Sequence, residues 1–180
     1  MKMRKLARRL AHRRIKVPIA TCEALSPEQV FQLMKRWPDF DVKGDLLVGI
    51  HQATLEEIIE HFGGGTLQRQ LVARRLKRIY NLAVGTGQLA RFIVFGSFIT
   101  SKSAPNDVDI FMLMEDTFDL SQTSGEAAII FHNRAAQNWE GASIFWIRRM
   151  AAMGGEEEAL KDWQIRRDGS RRGIVEVIAK

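Results

Sequence analysis

Residues 91–114 read RFIVFGSFITSKSAPNDVDIFMLM, and this stretch decides the fold of the chain. An apolar run at 92–95 ends at Gly96-Ser97, and nine residues later Asp107-Val108-Asp109 begins a second apolar run. The pattern predicts a strand, a Gly-Ser turn, a short helix or loop, and a second strand that carries two carboxylates.

The two aspartates are the candidate metal ligands and catalytic carboxylates. Successive side chains of a strand alternate between faces, so Asp107 and Asp109 point the same way. Two ionised carboxylates on one face of an apolar strand repel each other and are costly to desolvate. A divalent cation between them would relieve both costs, and oxygen ligands favour Mg²⁺, or Mn²⁺ in its place.

The Gly-Ser turn is the candidate phosphate site. Gly96 lets the backbone approach a ligand closely, and Ser97 offers a hydroxyl and a backbone N–H. The N–H groups of a following helix would favour a phosphate. Lys102, in the same connection, is a further candidate nucleotide-binding residue. A phosphate cradle beside a carboxylate-held Mg²⁺ is what nucleotidyl transfer requires.

This arrangement resembles the polymerase-β-like nucleotidyltransferase superfamily. Its signature is an apolar residue, Gly-Ser, a spacer of about nine to thirteen residues and Asp-x-Asp between apolar residues. The alternative is a Gly-Ser turn that joins two core strands, with Asp107 and Asp109 on a solvent-facing edge.

The net charge of +6 is concentrated at the beginning of the chain. Residues 1–16 contain eight basic and no acidic side chains, which leaves 19 basic and 21 acidic residues in the rest. Residues 1–16 are predicted to form an amphipathic helix that suits a polyanion such as RNA. A targeting peptide or a solubilising tail is the alternative. The arginines that would contact nucleic acid are Arg4, Arg8, Arg9, Arg13 and Arg14.

The remaining composition points to a cytoplasmic protein. No apolar run is long enough for a membrane span, and the single cysteine, Cys22, excludes a disulfide framework. The histidines lack zinc-ligand spacing. The oligomeric state does not follow from the sequence.

The rest of the chain predicts an α/β (or α+β) fold. Strands are expected at 91–96, 107–114 and 142–149 in a short mixed sheet, with 173–179 a possible fourth strand. Thr54-Leu55-Glu56-Glu57 is a capping box that begins a short helix, and Glu156 to Asp162 predicts another. Helices 66–84 and 125–139 would cover one side of the sheet, while residues 38–53 are expected to be irregular.

Two sets of basic residues lie on these helices. Arg69, Arg74, Arg75, Lys77 and Arg78 are expected to form a solvated face of helix 66–84. Arg134, on helix 125–139, would either bind a triphosphate or form a structural salt bridge.

Three motifs together resemble a family of small bacterial proteins of unknown function that are regarded as nucleotidyltransferase-like. They are Pro-Asp-Phe-Asp…Gly-Asp-Leu…Gly-Ile-His-Gln-Ala-Thr (38–54), Gly-Ser-Phe-Ile-Thr…Pro-Asn-Asp-Val-Asp (96–109) and Arg-Asp-Gly-Ser-Arg-Arg-Gly-Ile-Val (167–175). The resemblance covers residues 37–178. It divides the chain into a basic arm with a first helix, 1–36, and a nucleotidyltransferase-like domain, 37–180.

The resemblance leaves one catalytic position open. Active members of the superfamily usually place a third carboxylate on the strand after Asp-x-Asp, and here strand 142–149 has none. Glu140, just before it, or Glu176, on the last strand, would have to complete the site.

Three functions remain open. The first is an Mg²⁺-dependent enzyme that moves a nucleoside monophosphate from an NTP to a hydroxyl on RNA (tRNA) or protein, with a toxin-like role by analogy. The second is a catalytically degenerate protein that binds RNA or a partner through its basic N-terminal helix. The third is a regulatory partner of a neighbouring toxin.

Overall fold

The computed structural model describes residues 37–132, 136 and 141–179. Apart from Trp37, these belong to one compact unit, Pro38–Lys180. The predictions for the basic arm and the first helix lie outside the described residues. So do those for Arg134 and Glu140.

The core is a five-stranded mixed sheet, which confirms the predicted fold class. The strand order is β1-β5-β2-β3-β4. β2 is antiparallel to β3 and to β5, whereas β3 is parallel to β4 and β1 to β5. The strands are β1 (Ile50–Ala53), β2 (Leu89–Phe95), β3 (Val108–Met114), β4 (Ala142–Arg148) and β5 (Ile174–Val177).

The edge strand β1 corrects the sequence prediction, which expected residues 38–53 to be irregular. Four residues, two of them the polar His51 and Gln52, give almost no period-2 signal. The strand forms because its backbone pairs with β5, whose residues lie more than 120 positions later. Such a partner cannot be recognised from the local pattern.

One face of the sheet is covered by helices α1 (Leu55–Phe62), α2 (Leu67–Gly85) and α3 (Gly125–Ile129). The predicted capping box is present at the start of α1, where Thr54 and Glu57 cap each other's backbone. α2 buries an apolar stripe, and the Tyr80 ring contacts the Phe92 ring of β2 edge to face at 5.1 Å. α3 is shorter than predicted: a turn follows at residues 130 and 131, and most of 133–140 lies outside the described residues.

The opposite face is covered only in part. Helix α4 (Glu156–Asp162), predicted from the sequence, is followed by Trp163. Leu160 and Trp163 pack on a cluster that includes Ile93, Phe111 and Leu113. The Trp163 ring stacks on the Phe111 ring at 4.6 Å. The part of this face around Asp109 remains accessible, and a cleft forms there.

No helix within the described residues is long and apolar enough to cross a membrane.

Candidate functional site

Asp109 lies against the Gly96-Ser97 turn. Phe95, the last residue of β2, is the cross-strand partner of Asp109 on β3, so the turn begins where the carboxylate stands. Gly96 has φ +79°, and a Cβ built on it would overlap Asp109 Oδ2. Glycine is required here for two reasons: the backbone lies in a region that L side chains rarely adopt, and the carboxylate occupies the space of a side chain.

The environment of Asp109 opposes its negative charge. Burial, followed by the nearby charge of Asp107, raises the pKa of Asp109 to about 6. Arg172, the backbone N–H of Ser97 and Arg167 act in the opposite direction and only partly offset the shift. The two aspartates therefore repel each other as the sequence predicted, and a cation would stabilise both in the ionised form. This oxygen-only pair fits Mg²⁺ or Mn²⁺.

Glu176 does not join the aspartates. Its cross-strand partner on β2 is Ile93, two residues from Phe95, so Glu176 shares the face of Asp109 from the other side of β2. Arg91 donates two hydrogen bonds to its carboxylate, at 2.6 and 3.0 Å, and Gln52 donates a third at 2.9 Å. The structure thus gives Glu176 an ion pair within the sheet in place of the predicted role as third catalytic carboxylate.

The residue opposite Asp109 on β4 is Ser143. β4 is the strand that follows Asp-x-Asp, and Ser143 shares the face of Asp109, so a hydroxyl stands where a third carboxylate would be expected. Among the described residues, no group of three His, Cys, Asp or Glu side chains is placed to hold a metal ion.

Ser97 offers less to a phosphate than the sequence predicted. The segment after it is a single 3-10 turn, Ser97–Ile99, rather than a helix with a row of free N–H groups. The Ser97 N–H points to Asp109, and the Ser97 carbonyl accepts from Thr100. Its hydroxyl makes no hydrogen bond within the described part of the chain and remains the group of this turn that can bind a ligand.

Arg69, on α2, stabilises the loop after Ser97 by hydrogen bonds to the loop backbone. Its guanidinium donates to the carbonyl oxygens of Phe98 at 2.6 Å, Thr100 at 3.3 Å and Lys102, and to that of Phe62 at 2.6 Å. Arg69 is therefore buried, which corrects its place in the predicted solvated face of α2, whereas Arg74, Lys77 and Arg78 are exposed as predicted. The polar periodicity of the helix does not distinguish Arg69 from its exposed neighbours, because its partners are backbone carbonyl oxygens, which any residue can supply.

Lys102 supplies this loop with a carbonyl acceptor, while its side chain is exposed. The cleft lining does not include it. The Lys102 side chain therefore does not line the cleft at Asp109, and the predicted contact with nucleotide has no geometric support.

A cleft of about 640 Å³ begins at Asp109. One side is aromatic, because Trp163 lies 4.8 Å from the Phe95 ring and 4.9 Å from the Phe145 ring, measured between centroids. The Phe145 ring is 39% exposed. The other side is cationic. The cleft is lined by Phe95, Asp109, Ser143, Phe145, Trp163, Ile165, Arg166, Arg167, Asp168 and Arg172.

The cationic side of the cleft is a hairpin at residues 164–172, here called the arginine hairpin. Arg166 N donates to Ser170 O at 2.8 Å, and Arg172 N donates to Gln164 O at 2.9 Å. Asp168 is turned to the hairpin itself, where it accepts from Ser170 N and Ser170 Oγ. The hairpin thus presents Arg166, Arg167 and Arg172 beside Asp109.

The sequence pattern predicts no role for these arginines or for the aromatic side chains. It marks Arg167 to Val175 only as a motif of the resembled family. The available signal was a cluster of four arginines, at 166, 167, 171 and 172, around the Asp168-Gly169 turn. What the pattern lacked was the fold, which brings residues some sixty positions after Asp109 back across its face.

A family model described as a family of unknown function (DUF6932) matches residues 38–178. The matched range contains the turn, the aspartates, the aromatic side chains and the arginine hairpin. No curated protein and no solved structure matches the chain. The family description names no activity, so the function has to be inferred from the site.

Proposed function

We propose that this chain, which belongs to the DUF6932 family of unknown function, is a metal-dependent nucleotidyltransferase. The observation that carries the proposal is the Asp109 carboxylate, which lines the cleft and lies against the Gly96-Ser97 turn, with the charge of Asp107 near enough to raise its pKa. This is the contact that the Gly-Ser…Asp-x-Asp resemblance implies.

Asp107 and Asp109 would hold Mg²⁺ or Mn²⁺. The bound ion would supply Lewis-acid stabilisation of the charge that develops on the reacting phosphate. The protein contributes the position of the two carboxylates, with Asp107 directly before β3 and Asp109 within it. Because the pKa of Asp109 is about 6, this carboxylate is mostly ionised above pH 7 and able to act as a ligand.

The neighbouring groups suit a nucleotide. The free Ser97 hydroxyl can donate to a phosphate oxygen next to the aspartates. The Phe145 ring, supported by Trp163, offers an exposed aromatic surface in the same cleft, on which a base can stack. The proposed reaction moves a nucleoside monophosphate to a hydroxyl of RNA (tRNA) or protein with release of pyrophosphate. A toxin-like role is part of the proposal by analogy only.

The test is transfer of label from each of the four α-labelled NTPs, with Mg²⁺ or Mn²⁺, into total tRNA and into cell-extract protein. We expect label to be transferred by the wild type and lost in D107N/D109N. Asp162→Asn is the matched control, because it removes an exposed carboxylate of α4 that forms no side-chain contact among the described residues. Activity that survives in D107N/D109N, or its absence from folded wild type with every NTP, would refute the proposal.

A second candidate is nucleotide or RNA binding without transfer. Ser143 at the position opposite Asp109, together with the Glu176–Arg91 ion pair, favours it, because neither position supplies a third carboxylate to the metal within the described part of the chain. It predicts that a non-hydrolysable NTP binds with Mg²⁺ while no label is transferred. Salt-sensitive RNA binding that survives Asp109→Ala and is lost on deletion of residues 1–16 would assign the binding to the basic arm.

A further inference from the structure

We infer that the arginine hairpin is an anion site that receives the phosphate chain of a nucleoside triphosphate whose reacting end lies at Asp109. The site consists of Arg166, Arg167 and Arg172. That the anion belongs to a nucleotide rests on the proposed function. The anion site itself rests on the geometry of the hairpin.

Arg172 lines the cleft and carries an unsatisfied donor. Its Nε is buried and has no hydrogen-bond partner among the described residues. The guanidinium lies 5.6 Å from the centroid of the Phe95 ring, which supports its charge from one side only. A buried donor without an acceptor is costly, and a phosphate oxygen is the kind of acceptor that a guanidinium binds best.

Arg166 is held in place from outside the hairpin. Its Nη1 lies 2.7 Å from Asp45 Oδ2, and Asp45 is only 3% exposed. The loop that carries Asp45 also supports the Gly-Ser loop, because Ser101 N donates to Gly44 O at 2.8 Å. One short loop therefore supports both the hairpin and the segment after the Gly-Ser turn, and the relative position of the two does not depend on a ligand.

The cleft lining holds three arginines, Arg166, Arg167 and Arg172, and two aspartates, Asp109 and Asp168. Burial, followed by the charge of Arg166, lowers the pKa of Arg172, while Asp109 and Asp45 act in the opposite direction. Asp168 accepts from Ser170 within the hairpin and is exposed. If a cation binds the aspartates, the negative charge of Asp109 no longer offsets the positive charge of Arg172. A bound anion would then balance the charge of the hairpin.

A polyphosphate fits this arrangement better than a single small anion. Three arginines on one hairpin can contact more than one phosphate, while Asp109 and Ser143 lie in the same cleft. Its volume of about 640 Å³ is typical of a site for a nucleotide-sized molecule. We therefore commit to the free triphosphate chain of a nucleotide and treat the phosphate backbone of RNA as an outcome of the test.

The experiment measures binding of inorganic triphosphate by calorimetry in EDTA, so that neither the metal nor the transfer reaction is involved. We expect Arg172→Gln to weaken binding by about tenfold or more. Arg171→Gln is the matched control: it removes the neighbouring arginine, whose side chain is exposed and outside the cleft lining, and should change the affinity by less than about twofold. Asp109→Asn should strengthen binding several-fold, because it removes a negative charge beside Arg172.

Arg172→Lys keeps the positive charge and tests whether the loss of binding in R172Q results from a folding defect. It should unfold at the wild-type temperature and bind with intermediate affinity, since an ammonium cannot donate as the planar fork does. Equal losses in R172Q and R171Q, or no binding by wild type in EDTA, would overturn the anion site. Stronger binding of a short RNA without a 5′-triphosphate, lost in R172Q, would overturn the assignment to free nucleotide.

The outcomes separate this inference from the proposed function. If triphosphate binding depends on Arg172 but no label is transferred, the anion site is supported and the proposed enzyme activity is refuted. If label is transferred but triphosphate affinity does not depend on Arg172, the enzyme activity is supported and the anion site is refuted.

Discussion

Asp109 and Glu176 are both largely buried carboxylates on one face of the sheet, on the two strands that flank β2, and they differ in what surrounds them. Burial alone would raise the pKa of Glu176, but the hydrogen bonds from Arg91 and Gln52 lower it overall. Burial and the charge of Asp107 raise the pKa of Asp109 instead.

The difference is the one expected between a structural carboxylate and a carboxylate that binds a metal, as we propose for Asp109. Glu176 is satisfied by two hydrogen bonds from Arg91, which also contacts Glu157 at 2.7 Å and so joins β2, β5 and α4. Asp109 is placed next to another carboxylate without full compensation. A protein keeps such an unfavourable arrangement where a ligand supplies what is missing.

The largest effect on stability is expected from breaking the ion pair between Glu176 and Arg91. Glu176→Ala leaves the buried part of Arg91 with only its contacts to α4, and should lower the free energy of unfolding by about 4 kcal/mol in urea titration. Glu158→Ala is the control, because its ion pair with Lys161 is exposed and should contribute less than about 1 kcal/mol. Equal small losses in both variants would show that Glu176 is not structural.

The contact of Asp109 with the turn is tested by Gly96→Ala. We expect a loss of about 3 kcal/mol, from the φ of +79° and from the overlap with the carboxylate. Gly155→Ala is the matched control: it has φ +96° and no atom within 4 Å of the added Cβ, so it measures backbone strain alone.

In the Asp109→Gly background, where the overlap is absent, the loss from Gly96→Ala should shrink by about 1 kcal/mol or more. An unchanged loss in that double-mutant cycle would mean that the carboxylate does not occupy the turn.

The unfavourable environment of Asp109 predicts that its removal stabilises the metal-free protein. Asp109→Asn should raise the free energy of unfolding by about 2 kcal/mol at pH 7.5 in EDTA. The pKa of about 6 in the folded chain lies above the usual value of 3.8, so folding favours the protonated form. The wild type should therefore gain stability relative to D109N as the pH falls from about 7 to 4.

Glu176 should show the opposite sign. Because its pKa is lowered on folding, the stability it contributes is present at neutral pH and is lost as the pH falls below its usual value of 4.5. Parallel pH profiles of D109N and E176Q relative to wild type would contradict the comparison.

The smallest effect is expected at Lys102. Its exposed side chain lies outside the cleft, so Lys102→Ala should change the free energy of unfolding by less than about 0.5 kcal/mol and triphosphate affinity by less than about twofold. A tenfold loss of affinity would restore Lys102 to the site.

The parts of this site that the sequence predicted are local. The Gly-Ser turn and the two aspartates follow from a pattern of fewer than fifteen residues, and the positions of β2 to β5, α1, α2 and α4 follow from local sequence patterns. The roles of Glu176 and Arg69 do not, because each depends on a partner more than twenty-five positions away. The same limit applies to the arginine hairpin. The sequence shows the cluster of arginines, but Arg172 lies beside Asp109 only because the folded chain passes back across the sheet.

The comparison is tested most directly by Mn²⁺ binding, followed by electron paramagnetic resonance in wild type, D107N/D109N and E176Q. We predict that the wild type binds Mn²⁺, that the double variant does not, and that folded E176Q binds it as the wild type does. Loss of binding in folded E176Q, or undiminished binding in D107N/D109N, would contradict the assignment of Asp107 and Asp109 as the functional carboxylates and Glu176 as the structural one.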